Sequence, residues 1–213
     1  WLLLCCFLVF AMAVVGAIHF YLFALCGLLW LASLVTRLWL RQTSQRDALV
    51  EATAVIAISA IIQWAIGLFG FSSVSGGGIG HYRANLLTLI DPSGWSRILP
   101  DQPEGVGDYE GFGYLGLGVL ALLVVGIVST RPSIAAITSP RWLPLLGAIV
   151  IMTLFAFTPN LGFGAIDIVL VELPRIVNSV LGVLRSSGRY IWPLVYLLTI
   201  FAVVVIGEIV ITA

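Results

Sequence analysis

Arg185 and Arg189 stand four residues apart with Ser186, Ser187 and Gly188 between them, just ahead of an apolar run that opens Tyr190-Ile191-Trp192-Pro193. A guanidinium matches phosphate oxygens in a two-point fork, so two of them beside two hydroxyls suit a lipid-linked phosphate. The same residues also suit plain anchoring of a membrane span by Arg, Tyr and Trp. A second group, His81, Tyr82, Arg83 and Asn85, offers hydrogen-bond donors for an anionic head group, or an interfacial belt. Further on, Asp101, Glu104, Asp108 and Glu110 place four acids within ten residues. The Asp108-x-Glu110 spacing is able to hold a divalent metal ion through oxygen ligands; a solvated acidic loop is the alternative. The glycines in Ser75-Gly76-Gly77-Gly78-Ile79-Gly80 could form a backbone nest for phosphate, but the Gly-Lys-Ser/Thr of a P-loop is missing. A flexible exit from a span is the other reading.

The elements that must carry these residues are membrane helices. Apolar residues make up 61% of the 213 and charged residues 9%, against roughly 25% charged in an ordinary soluble domain. They fall in blocks of about 17–25, the length that crosses roughly 30 Å of hydrocarbon as a helix. The alternating ten-residue segments of a membrane barrel are absent. The expected fold is therefore all-α: one polytopic transmembrane bundle over 1–213, with six spans at about 1–16, 21–40, 48–71, 114–129, 142–157 and 191–211. The first forty residues are too long for one span, and the polar point His19 marks a tight turn. Two long loops, 72–112 and 158–190, hold all the groups named above. Within the second, Leu173, Ile176, Val177, Val180, Leu181 and Leu184 recur at helical spacing, with Arg175, Asn178 and Ser179 opposite. Pro174 suits the first turn and Gly188 a stop, which predicts an amphipathic helix on the membrane surface. Both chain ends fall inside apolar runs, so an internal or C-terminal piece of a longer protein is expected.

Orientation comes from arginine, since the chain has no lysine. Arg37, Arg41, Arg46, Arg131 and Arg141 crowd the two short connections. Five more spread over the long loops among seven acids. The density of positive charge in short loops places those connections in the cytoplasm and the long loops outside. Cys5, Cys6 and Cys26 sit within predicted spans, where a free thiol packs as a small hydrophobe. No internal repeat is visible, which counts mildly against inverted-repeat transporter folds.

Three stretches carry a family resemblance: His81-Tyr82-Arg83-Ala84-Asn85-Leu86-Leu87 with Asp91-Pro92; Glu110-Gly111-Phe112-Gly113-Tyr114-Leu115-Gly116-Leu117-Gly118; and Leu184-Arg185-Ser186-Ser187-Gly188-Arg189-Tyr190. From about His19 onward the chain resembles a family of uncharacterised bacterial multi-span proteins similar to the GT-C glycosyltransferases, which take sugars from polyprenyl-phosphate carriers. The resemblance implies a site at the outer face of the bacterial inner membrane. Membrane lipid and a polyprenyl-phosphate-linked sugar are the implied partners, and no nucleic acid is expected. Arg185 and Arg189, with Ser186 and Ser187, would hold the carrier phosphate. His81, Tyr82, Asn85, Glu110 and Tyr114 would supply polar contacts, with Glu110 meeting a metal or a sugar hydroxyl. GT-C enzymes keep their acidic motif in the first outer loop, upstream of this chain, so no residue here is implied as catalytic base. Two other readings stay open: a transporter or flippase of lipid-linked saccharides, and a non-catalytic assembly subunit. Intramembrane charge would favour transport, and Glu208 is the one acid clearly inside a predicted span.

Overall fold

The computed structural model describes residues 2–67, 78–130, 139–182 and 184–212. The glycines at 76 and 77, the end of the expected third span, and Arg131 and Pro132 lie outside the described residues, as do the side chains of Ser179, Val180 and Glu208. The chain is mostly helical and divides into two compact units: Trp1–Gly76 with Thr138–Ala148, and Gly77–Ile137 with Ile149–Ala213.

In the first unit, α1 (Leu2–Ile18), α2 (Phe20–Trp39) and α3 (Gln45–Ala65) pack against one another. The chain breaks at His19, whose backbone is extended. Ser44 caps α3, its hydroxyl accepting from the Asp47 N–H at 3.0 Å, which satisfies one of the donors left open at a helix start. The polarity of α3 runs inside out. Its buried face carries Glu51, Ser59 and Gln63, while Leu49, Ile56, Ile61 and Trp64 are exposed. A helix in water buries the opposite set; one in lipid turns its polar groups toward its neighbours. Glu51, fully buried, takes a forked pair from Arg37 (Nη1 to Oε2 2.9 Å, Nη2 to Oε1 2.5 Å) and a hydrogen bond from the Trp30 indole at 2.9 Å. That clip ties the end of α2 to the start of α3. From sequence Arg37 counted only as one of the arginines of a short connection.

In the second unit, α4 (Leu117–Thr130) packs on α7 (Trp192–Thr212). Leu115, Leu123 and Ala202 are its buried centre, with Val119, Leu198 and Phe201 around them. A Cβ on Gly126 would lie 3.0 Å from Val205, so the glycine lets the two helices approach. Helix α5 (Leu143–Ala156) brings the chain into this unit and is followed by a hairpin, β1 (Asn160–Phe163) and β2 (Ile166–Val169). The short amphipathic helix α6 (Arg175–Gly182) comes next.

Among the described residues three stretches are long and apolar enough to cross a membrane: Phe20–Trp39, Gln45–Ala65 and Gly188–Gly207. The apolar helices Leu3–Ile18, Leu117–Ser129 and Leu143–Ala156 are shorter. Two expectations for the second loop change. It contains a β-hairpin that helical periodicity did not reveal, and its helix ends at Gly182 rather than running to Gly188. There the Arg185 N–H bonds back to the Gly182 carbonyl at 3.0 Å, and Arg185 takes a left-handed φ of 58°. The turn delivers Ser186 and Ser187 to the Tyr82 carbonyl, which a continued helix would miss.

Candidate functional site

Polar residues from both long loops meet in the second unit around a buried arginine. Arg83, 3% exposed, faces Asp108 at 3.3 Å (Nε to Oδ1) and makes a second ion pair through Nη2 with Asp167 on β2. The two carboxylates differ sharply in setting, since the Asp108 side chain is 1% exposed and that of Asp167 61%. Asp108 Oδ2 accepts from Asn85 Nδ2 at 2.7 Å and from the Gly105 N–H at 2.9 Å. Asn85 uses its whole amide: Nδ2 also donates to the Gly164 carbonyl at 2.8 Å, and Oδ1 accepts from the N–H groups of Leu87 and Gly164 at 3.1 Å each. A buried charge pair leans on its remaining donors and acceptors being matched; Asp108 Oδ2 is matched in this way, whereas Arg83 Nε and Asp108 Oδ1 make no hydrogen bond and face each other as an ion pair at 3.3 Å.

Glycines set the spacing of this cluster. A Cβ on Gly162 would lie 2.8 Å from Arg83 Nε, so β1 lies flat against the guanidinium. A Cβ on Gly188 would come within 2.7 Å of the Arg83 backbone and 2.8 Å of Gly111 Cα. Three loop segments, 82–84, 110–112 and 186–188, therefore cross at backbone contact. The Gly188 N–H and the hydroxyls of Ser186 and Ser187 all bond the Tyr82 carbonyl, at 3.0, 3.2 and 3.3 Å. Ser187 also donates to the Thr158 carbonyl at 3.1 Å.

The residues singled out from sequence come together unevenly. Ser186 and Ser187 are buried and their hydroxyls serve backbone carbonyls, so these two staple the loops instead of facing a phosphate. Arg189 sits on the 3₁₀ turn Gly188–Ile191 and binds Glu110, Nε to Oε2 at 2.5 Å. Arg185 is exposed, one turn earlier. The Asp-x-Glu pair is split, because Asp108 answers Arg83 and Glu110 answers Arg189. Among the described residues no three His, Cys, Asp or Glu side chains gather as a metal site would require. Tyr82 stacks edge-on with His81 (4.7 Å) and with Tyr109 (5.9 Å). Its hydrogen bond raises the Tyr109 phenol above the usual tyrosine range, with burial and the nearby Glu110 adding to the effect. Tyr114 belongs elsewhere. With Phe112, Gly113, Trp192, Val195 and Tyr196 it lines an apolar hollow of about 220 Å³, where the Trp192 indole donates to the Phe112 carbonyl at 3.1 Å.

Above Arg83 lies a polar cleft of about 290 Å³, lined by Ile79, Gly80, His81, Arg83, Val106, Asn160 and Asp167. Asn160 holds one wall, donating to the Gly80 carbonyl at 3.0 Å. The exposed His81 imidazole and Asp167 carboxylate are the groups a ligand would meet. Asn160 and Asp167 were missed from sequence. A signal existed: Phe163 and Ile166 flank the pair Gly164-Ala165, alternating residues run on either side, and Gly164 has φ 57°. That is the pattern of a two-residue hairpin.

No curated protein and no solved structure matches the chain. One family does, over residues 1–212. The chain therefore belongs to the family described as "Domain of unknown function (DUF6311)".

Proposed function

We propose that this chain is part of a membrane glycosyltransferase-like protein of the bacterial inner membrane, and that the cleft over Arg83 receives the polar head of a lipid-linked sugar at the outer face. The observation that carries the reading is the cleft itself: an open polar hollow with an imidazole and a carboxylate at its rim, the carboxylate anchored by a buried arginine. Sugar hydroxyls are bound by such paired donors and acceptors on a fixed frame. Arg185, exposed beside the start of the span Gly188–Gly207, is the cation for the carrier phosphate. In this reading the three shorter apolar helices also lie in the bilayer, giving six spans with 72–112 and 158–190 outside, and α6 rests on the membrane surface. A transport reading would draw on buried charge within a span. Glu51 is such a charge, but both its oxygens are engaged by Arg37, as in a structural clip.

The test is binding of a short-chain polyprenyl-phosphoryl sugar to the full-length protein in detergent, followed by native mass spectrometry beside the bare polyprenyl phosphate. His81→Ala and Asp167→Asn should weaken the sugar-bearing ligand at least tenfold and leave the bare phosphate unchanged. Arg185→Lys keeps the charge but loses the fork and should weaken both. Unchanged binding of the sugar-bearing ligand in folded His81→Ala and Asp167→Asn would remove the cleft from the reading.

A further inference from the structure

We infer that the β1–β2 hairpin is a membrane-contact element, its apolar face set into the head-group and upper acyl region of the bilayer. The register pairs Asn160 with Val169, Leu161 with Ile168, Gly162 with Asp167 and Phe163 with Ile166. Directly opposed residues of an antiparallel pair point to one side, and successive residues alternate. One side of the hairpin therefore carries Asn160, Gly162, Asp167 and Val169. The contacts of Asn160 with Gly80, and of Gly162 and Asp167 with Arg83, identify it as the side that walls the polar cleft. The other side carries Leu161, Phe163, Ile166 and Ile168, and every one is apolar.

That apolar side is open. Phe163 is 50% exposed, Ile166 59% and Ile168 46%, and the exposed run continues through Leu170, Val171 and Ile176. A two-stranded hairpin by itself is marginal in water, and neighbouring exposed apolar residues of this kind mark a surface that something covers. The root of the hairpin indicates what covers it. Thr158, two residues before β1, accepts a hydrogen bond from Ser187, the residue next to Gly188, where the candidate span begins. Helix α5, apolar throughout, ends at Ala156, and that carbonyl accepts from the Ala84 N–H at 2.9 Å. The hairpin thus leaves the unit at the level where apolar helices start and stop, and the solvent at that level is lipid. Its two faces then divide the work: one shapes the cleft, the other meets the bilayer and fixes the cleft at the membrane surface.

The experiment uses the full chain with Cys5, Cys6 and Cys26 replaced by Ala, reconstituted in phosphatidylcholine vesicles. Single cysteines at Ile166, Ile168, Val169 and Ile200 are labelled with the environment-sensitive fluorophore NBD. Lipids carrying a doxyl quencher at acyl carbon 5 or 12 report depth, and iodide reports water. Ile200, exposed on the span, should be quenched by the deeper doxyl. Ile166→Cys and Ile168→Cys should show blue-shifted emission quenched more by the shallow doxyl than the deep one, and at least twice as strongly as Val169→Cys. Two results would overturn the inference. One is iodide quenching at Ile166 and Ile168 equal to that at Val169, which means water covers the face. The other is a blue shift without lipid quenching, which means protein covers it, either a second copy or another segment.

Discussion

Removing Asp108 and removing Asp167 should have very different consequences, although both carboxylates pair with the same arginine. Arg83 is 3% exposed, so its charge needs a partner that water cannot replace. In Asp108→Ala it keeps only Asp167, whose carboxylate is 61% exposed and largely screened. Asn85 Nδ2 and the Gly105 N–H lose an acceptor in the same step. Leaving a buried charge without its partner costs about 3–5 kcal/mol. In Asp167→Ala the buried partner stays, and the loss should be below about 1 kcal/mol, as for other solvent-screened pairs. Hydrogen exchange with mass spectrometry reads this locally, because three amides span the crossing: Ala84 to the Ala156 carbonyl (2.9 Å), Leu86 to the Gly162 carbonyl (2.8 Å) and Gly164 to Asn85 Oδ1 (3.1 Å). At about 1.4 kcal/mol per factor of ten, Asp108→Ala should speed exchange there roughly a hundredfold to a few thousandfold. Asp167→Ala should speed it less than about fivefold. Adding Arg83→Met to Asp108→Ala removes the stranded charge and should recover part of the loss. Equal acceleration by the two aspartate variants would refute the reasoning, since it would mean that burial does not decide which partner Arg83 depends on.

Gly188→Ala places a methyl against the backbone of Arg83 and Gly111, which cannot step aside, and should lower the thermal midpoint of the solubilised protein well beyond Gly118→Ala. A Cβ on Gly118, near the start of α4, meets nothing within 4 Å, and alanine there should be neutral or stabilising by up to about 1 kcal/mol. Arg37→Lys keeps a charge near Glu51 but cannot make the fork; it should destabilise less than Glu51→Ala, which strands Arg37 and the Trp30 indole, and intrinsic tryptophan fluorescence during unfolding ranks the two. Glu104 has its carboxyl raised by burial first and by the nearby Asp91 and Asp108 next. The folded state therefore holds that proton more tightly than the unfolded chain, and stability falls as pH rises from the unfolded value, about 4.3, through the raised one. Glu104→Gln should stabilise slightly at pH 7, by less than about 1 kcal/mol for so exposed a group, and the advantage should vanish below about pH 4. A gain that persisted or grew at acid pH would reverse that sign.

Composition and period were enough to establish the helical membrane character and the break at His19. A run of apolar residues interrupted by one imidazole has few alternatives once lipid is the solvent, because backbone polar groups there must be satisfied within the helix. The same local reading collected Arg83, Asn85, Asp108, Arg185 and Arg189 as the polar residues worth following; that α3 begins at the Ser44 cap, ahead of the expected residue 48, came from the structure. It could not assign their partners. Arg83 meets Asp167 across 84 positions, and Arg189 meets Glu110 across 79. No periodicity encodes such separations; they exist only because three loops cross at Gly111 and Gly188, where a missing Cβ lets backbones touch, and because Gly162 leaves room for the Arg83 guanidinium. Spacing along the chain proposed Asp108 with Glu110, and Ser186 and Ser187 with the arginines. Packing turned the two acids to different guanidiniums and gave the hydroxyls to the Tyr82 and Thr158 carbonyls. The hairpin was legible in principle from Gly164-Ala165 and the alternation around it, but which of its faces is polar toward Arg83 and which is left to lipid follows from the pairing register, and register is a property of the folded chain.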